Sequence, residues 1–133
     1  MSEENKRKLW LYYLLLGSAV GAVAETTAFL LNWWVFDPWW FFIPWLFIWE
    51  GACFGSLAFL TRKLHPLAQY GIGAAIGCAG EMISAYVYPV WVFPGEKLLF
   101  LEGLPAIIIG LTIIFGLICP SMTFVINKIT KTD

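Results

Sequence analysis

Four runs of roughly twenty residues, at about 9–33, 39–60, 67–88 and 104–126, contain no lysine or arginine and are dominated by apolar side chains. A helix rises about 1.5 Å per residue, so each run is long enough to cross the hydrocarbon core of a bilayer. Asp37-Pro38, His65-Pro66 and Pro94-Gly95 lie between them, and such dipeptides break regular structure. Hydrophobic residues make up 60% of the chain and charged residues 13%, whereas a typical soluble domain carries about 25% charged residues. A soluble core built from 133 residues could not hide that much apolar surface. Helices in lipid can be apolar all round. The expected fold class is therefore all-α: a polytopic membrane protein of four transmembrane helices, forming one membrane domain over residues 1–133.

The cations give that domain an orientation. Lys6, Arg7 and Lys8 precede the first run, Arg62 and Lys63 lie between the second and third, and Lys128 and Lys131 follow the fourth. The other two connections hold only Lys97, next to Glu96. The positive-inside rule then places both termini and the middle connection on the cytoplasmic side of the cell (inner) membrane. Trp33, Trp34, Trp39, Trp40 and Trp91 gather at the opposite interface, a depth that amphipathic rings favour. Lys6-Arg7-Lys8, the apolar run and Ala22-Val23-Ala24 also have the outline of a cleaved secretory signal. Because the segment is half of an internal repeat, it is read as a helix that stays.

That repeat is the most informative pattern. Gly17-x-x-x-Gly21-x-x-x-Glu25 is echoed by Gly73-x-x-x-Gly77-x-x-x-Glu81, and Trp34-Val35-Phe36 by Trp91-Val92-Phe93. Pro44 is followed eleven residues on by Gly55, after Phe54; Pro105 is followed eleven residues on by Gly116, after Phe115. The landmarks come in the same order in both halves. They point to a tandem parallel repeat of two-helix hairpins, about 9–63 and 66–127. Two helices per repeat make the halves parallel, related by an approximate two-fold axis along the membrane normal. Parallel repeats occur in transporters, with sites at the repeat interface.

Residues four apart share a helix face. Gly17 and Gly21 therefore align with Glu25, and Gly73 and Gly77 with Glu81. Small-xxx-small faces let helices pack closely, so the first and third helices are expected to meet along these glycines and turn Glu25 and Glu81 inward. Glu50 lies midway along the second run and has no counterpart in the second half. An ionised carboxylate in hydrocarbon costs several kcal/mol at least, and no lysine or arginine lies in the runs to offset it. Such acids hold a proton, share one between them, or do work with water, a proton or a cation. Thr26, Thr27, Ser84, Tyr86 and Tyr88 are near enough in sequence to donate hydrogen bonds. Glu96 and Glu102 fall outside the runs and are expected in water.

Several chemistries lack their residues. The net charge of −1 offers no basic patch for nucleic acid. Cys53, Cys78 and Cys119 sit singly in apolar surroundings, without CxxC or metal-ligand spacing, and read as small buried side chains. The single histidine, His65, lies beside the cytoplasmic interface, so no axial haem ligand is placed within the membrane. No GxSxG, phosphate loop or metal-ligand cluster appears. No cofactor and no metal are expected.

Glu81, Trp91-Val92-Phe93 and Pro105, like Glu25, Trp34 and Pro44, loosely resemble small membrane lycopene-cyclase domains. Those domains combine an acid within a span, an aromatic segment, and a proline followed by paired acids. Here Ala106-Ile107 and Trp45-Leu46 stand where the paired acids would be. The resemblance implies at most an enzyme acting on an isoprenoid or carotenoid.

Three functions are compatible with these residues. The leading one is proton- or cation-linked transport or binding of a small solute at Glu25 and Glu81, with Glu50. The second is an accessory subunit packed into a larger membrane complex. The third is a membrane enzyme on a lipophilic, isoprenoid-like substrate, using a glutamic acid as proton donor. A water-filled cavity reaching both paired acids would favour the first. A solid bundle with both acids hydrogen-bonded would favour the second, and a closed apolar tunnel ending at one acid the third. The expected partners are the lipid bilayer and either a second copy of the chain or a larger assembly, with a small solute or lipophilic ligand.

Overall fold

The structure is a computed structural model that describes residues 2–30, 35–87, 91–92, 97–98 and 101–130. It is all-α with four helices. The first, Glu3–Leu30, opens with Glu3 and Glu4 at its positive end, where acids complement the helix dipole. They pair with Lys6 and Lys8, exposed contacts that add little stability. Its buried residues are Tyr13, Gly17, Gly21, Glu25 and Ala28, a single stripe at helical spacing.

The second helix spans Trp39–Thr61 and is not uniform. It begins as a 3-10 turn, Trp39–Phe41, and passes through a short α segment, Phe42–Trp45. It then widens into a π-helix over Leu46–Gly55 and returns to α over Ser56–Thr61. The π stretch buries Glu50, Gly51, Phe54 and Gly55. The third helix, Pro66–Tyr86, starts with proline in its first turn, where the missing N–H costs nothing. His65 caps it by accepting a hydrogen bond from the Leu67 amide at 3.3 Å. The fourth, Gly103–Thr130, begins at a glycine with φ of 76°, backbone that other residues avoid.

Three of the helices, Glu3–Leu30, Trp39–Thr61 and Gly103–Thr130, are long and apolar enough to cross a membrane. The expectation of four such helices is not fully met. Pro66–Tyr86 has 21 residues, but Gly71, Gly73, Gly77 and Gly80, with Gln69 and Glu81, dilute its apolar character. Large apolar side chains nevertheless point outward on all four helices, among them Leu15, Ile48, Ile83 and Phe124.

The helices pack mainly as sequential pairs, first on second and third on fourth. This corrects the expected meeting of the first and third helices along their glycines, which make only marginal contact among the described residues. Gly17 and Gly21 instead receive the second helix. A Cβ on Gly17 would lie 2.5 Å from the Glu50 carbonyl oxygen, and one on Gly55 would lie 2.7 Å from that of Tyr13. Gly73 and Gly77 receive Phe115 of the fourth helix, and Gly116 receives the Tyr70 ring. Each of these glycine faces is filled by the helix adjacent in the chain, its hairpin partner. The fourth helix supplies most of the core through Ile107, Leu111, Phe115, Cys119, Met122 and Ile126.

Two short strands link the ends of the hairpins. β1 (Val35–Phe36) pairs antiparallel with β2 (Trp91–Val92), Val35 opposite Val92. β3 (Lys97–Leu98) and β4 (Leu101–Glu102) form a second pair leading into the fourth helix. Trp33, Trp34, Tyr88, Phe93, Pro94-Gly95, Glu96 and Lys131, and the side chain of Trp91, lie outside the described residues. Trp39, Trp40 and Glu102 are exposed.

The packing gives a direct test. A Cβ on Gly73 would come within 2.6 Å of the Phe115 backbone carbonyl, whereas one on Gly71 would meet nothing within 4 Å. Alanine is favoured over glycine in a helix by about 1 kcal/mol, but overpacking against immovable backbone costs about 1–3 kcal/mol. Gly73→Ala is expected to lower the unfolding midpoint in detergent, and Gly71→Ala to leave it unchanged or raise it.

Candidate functional site

Three carboxyl groups, from three different helices, are buried together. Glu25, Glu50 and Glu81 are 4%, 2% and 3% exposed. They act on one another electrostatically: Glu25 on Glu50, and both on Glu81. Sequence reasoning paired Glu25 with Glu81 and added Glu50, which has no counterpart in the second half. The structure makes Glu50 a member of the same group.

Local geometry explains how each acid arrives. Gly21 stands one turn before Glu25, and the Cβ and Cγ of Glu50 lie directly against it. Any side chain at position 21 would occupy the space Glu50 uses. The π stretch of the second helix places Trp49 and Glu50 on adjacent sides of that helix, and π segments concentrate at functional sites. Trp49 lies over Gly80, and its indole Nε1 donates a 2.6 Å hydrogen bond to Glu81 Oε1. One residue pair, Trp49-Glu50, thus touches both halves of the molecule.

The carboxyls are not equally satisfied. Glu81 accepts the Trp49 bond, whereas Glu50 Oε2 is buried without a hydrogen-bond partner among the described residues. A buried polar atom in that condition costs about 1–3 kcal/mol. Two of the hydroxyls expected to help are engaged elsewhere: Thr27 donates to the Val23 carbonyl at 2.7 Å and Ser84 to the Gly80 carbonyl at 2.8 Å. Both bond to their own helix, as such residues commonly do. Tyr86 is exposed. Among the described residues no three His, Cys, Asp or Glu side chains are arranged to ligate one metal ion. Cys53, Cys78 and Cys119 are free thiols, the last fully buried.

A cavity of about 270 Å³ opens beside the cluster, lined by Glu25, Thr26, Phe29, Phe36, Trp39 and Phe42. Its walls are almost wholly apolar and its acid is Glu25. Phe36 and Phe42 meet edge to face, with ring centroids 5.9 Å apart. Continuing inward, Phe36 contacts Trp45 and Trp45 contacts Trp49, at 6.1 and 5.6 Å.

Sequence reasoning missed the Glu50–Gly21 contact, the π stretch and the Trp49–Glu81 bond. A signal for the first was present. Gly51-x-x-x-Gly55 gives the second helix its own small-residue face, a ready mate for Gly17 and Gly21. Nothing in the spacing marked Trp49 as a donor to Glu81, because that contact depends on how the two hairpins meet.

Fold and site together define a small helical protein, largely apolar on its outside, that holds a buried three-carboxyl cluster beside an aromatic cavity. Compared with known proteins, the chain matches no family, no curated protein and no solved structure.

Proposed function

We propose that this chain is a polytopic membrane protein whose four helices cross the bilayer as a tandem parallel repeat. In this reading it moves a proton or cation, linked to a small solute, through the Glu25–Glu50–Glu81 cluster. The observation that carries it is the burial of three mutually interacting carboxyls in a chain whose apolar runs contain no lysine or arginine. Intramembrane acids are costly, and they recur in ion and proton pathways. Membrane residence is supported by the three long apolar helices and the outward apolar side chains. Duplication is supported by two correspondences. Val35 pairs with its counterpart Val92, and Gly55 against Tyr13-Leu14 corresponds to Gly116 against Tyr70. The orientation, with both termini cytoplasmic, rests on the distribution of cations.

The test is proton and monovalent-cation flux in liposomes, comparing the native chain with Glu25→Gln and Glu81→Gln. Each isosteric change removes the titrating group and is expected to reduce flux to the level of protein-free vesicles. Unchanged flux in both variants would leave the accessory-subunit role as the better account. A second reading, an enzyme protonating a lipophilic substrate, is favoured by one observation: the apolar cavity is lined, among the described residues, by one acid, Glu25. It predicts turnover of an isoprenoid substrate without flux, and loss of that turnover in Glu25→Gln.

A further inference from the structure

We infer that the cavity beside Glu25 is a binding site for an amphipathic organic cation, a quaternary or aromatic ammonium rather than a metal ion or a neutral lipid. The inference rests on the transport reading and names its solute. Phe29, Phe36, Trp39 and Phe42, the first and third of them largely exposed, line about 270 Å³ of space whose charged side chain, among the described residues, is Glu25. Aromatic faces attract cations through the ring quadrupole, and cages of such rings recognise quaternary ammonium groups. The edge-to-face meeting of Phe36 and Phe42 sets the two ring planes 70° apart, so the rings turn their faces in different directions, as adjoining walls of a cage do. A neutral lipid would gain nothing from Glu25. A small metal ion would need oxygen ligands, and four of the six lining side chains among the described residues are aromatic rings. A cation sheathed in carbon complements both the negative charge of a carboxylate and the apolar wall. It also supplies the positive charge that the apolar runs do not contain.

Thr26, the remaining lining residue among those described, is the sequence neighbour of Glu25. The same chemistry is carried by soluble ammonium compounds and by the choline headgroup of lipids. The site differs in kind from the three-acid cluster, since only Glu25 belongs to both.

Benzyltrimethylammonium is a suitable probe, and neopentylbenzene is its neutral isostere with carbon in place of nitrogen. Titration calorimetry on the full chain in maltoside micelles is expected to show saturable binding of the cation, at least about tenfold tighter than the isostere. Glu25→Gln is expected to abolish the preference. Phe36→Leu and Phe42→Leu, which keep bulk and remove the ring, should each weaken the cation by roughly threefold to tenfold without affecting the isostere. Repeating the titration in nanodiscs separates the sources. Binding lost in phosphatidylcholine but kept in phosphatidylglycerol assigns the cage to the choline headgroup. Equal binding in both assigns it to a soluble cation. Equal affinity for cation and isostere, or no binding of either, overturns the inference. Proton flux measured without added cation tests the transport reading separately, so binding without flux, or flux without binding, identifies which of the two fails.

Discussion

Replacing Glu50 by methionine is expected to give a protein that is more stable and inactive. Glu50 is 2% exposed, and its Oε2 has no hydrogen-bond partner among the described residues. Its neighbours Glu25 and Glu81 are also acids. Methionine has similar length and a flexible apolar side chain, so it can keep the packing of Cβ and Cγ against Gly21. Removing an unpaired buried polar group recovers on the order of 1–3 kcal/mol. The unfolding midpoint in detergent should therefore rise, while flux falls to background. Improved stability with lost activity is the signature of a residue kept for function. A structural acid would do the opposite: its removal would lower the midpoint.

Gly21→Ala tests whether the cluster is built by a missing side chain. The new Cβ would collide with the Cβ and Cγ of Glu50. Against that stands a gain of about 1 kcal/mol from alanine's helix propensity. Overpacking typically costs about 1–3 kcal/mol, so the collision should win and Gly21→Ala should destabilise. In a Glu50→Gly background both colliding atoms are gone, only propensity remains, and the same change should stabilise. The reversal amounts to a coupling of roughly 0.5–3 kcal/mol between positions 21 and 50, measurable as a double-mutant cycle of unfolding free energies. Additive effects would mean that Glu50 does not sit against Gly21.

The helices were legible because their signal is long and redundant. The run expected at 39–60 and the helix Trp39–Thr61 differ by one residue, and His65-Pro66 marks the third helix start. The burial of Gly17, Gly21 and Glu25, and of Gly73, Gly77 and Glu81, also followed from spacing alone. What each glycine face would meet did not follow. Periodicity says which residues share a face, not which partner fills it. Here Glu50 and Phe115, from the sequential neighbours, took the place expected for the other repeat. The third helix shows the same limit from another side: glycines that suit close packing also lower its apolar character.

Trp49 gives the site a gauge of its own. Its indole N–H ends on a carboxyl oxygen of Glu81 at 2.6 Å, so any event that alters the charge or position of that carboxyl must also alter the electronic environment of the ring. The side-chain nitrogen resonance of one tryptophan, and the colour of its emission, thereby report on an acid buried too deeply for an external dye to reach.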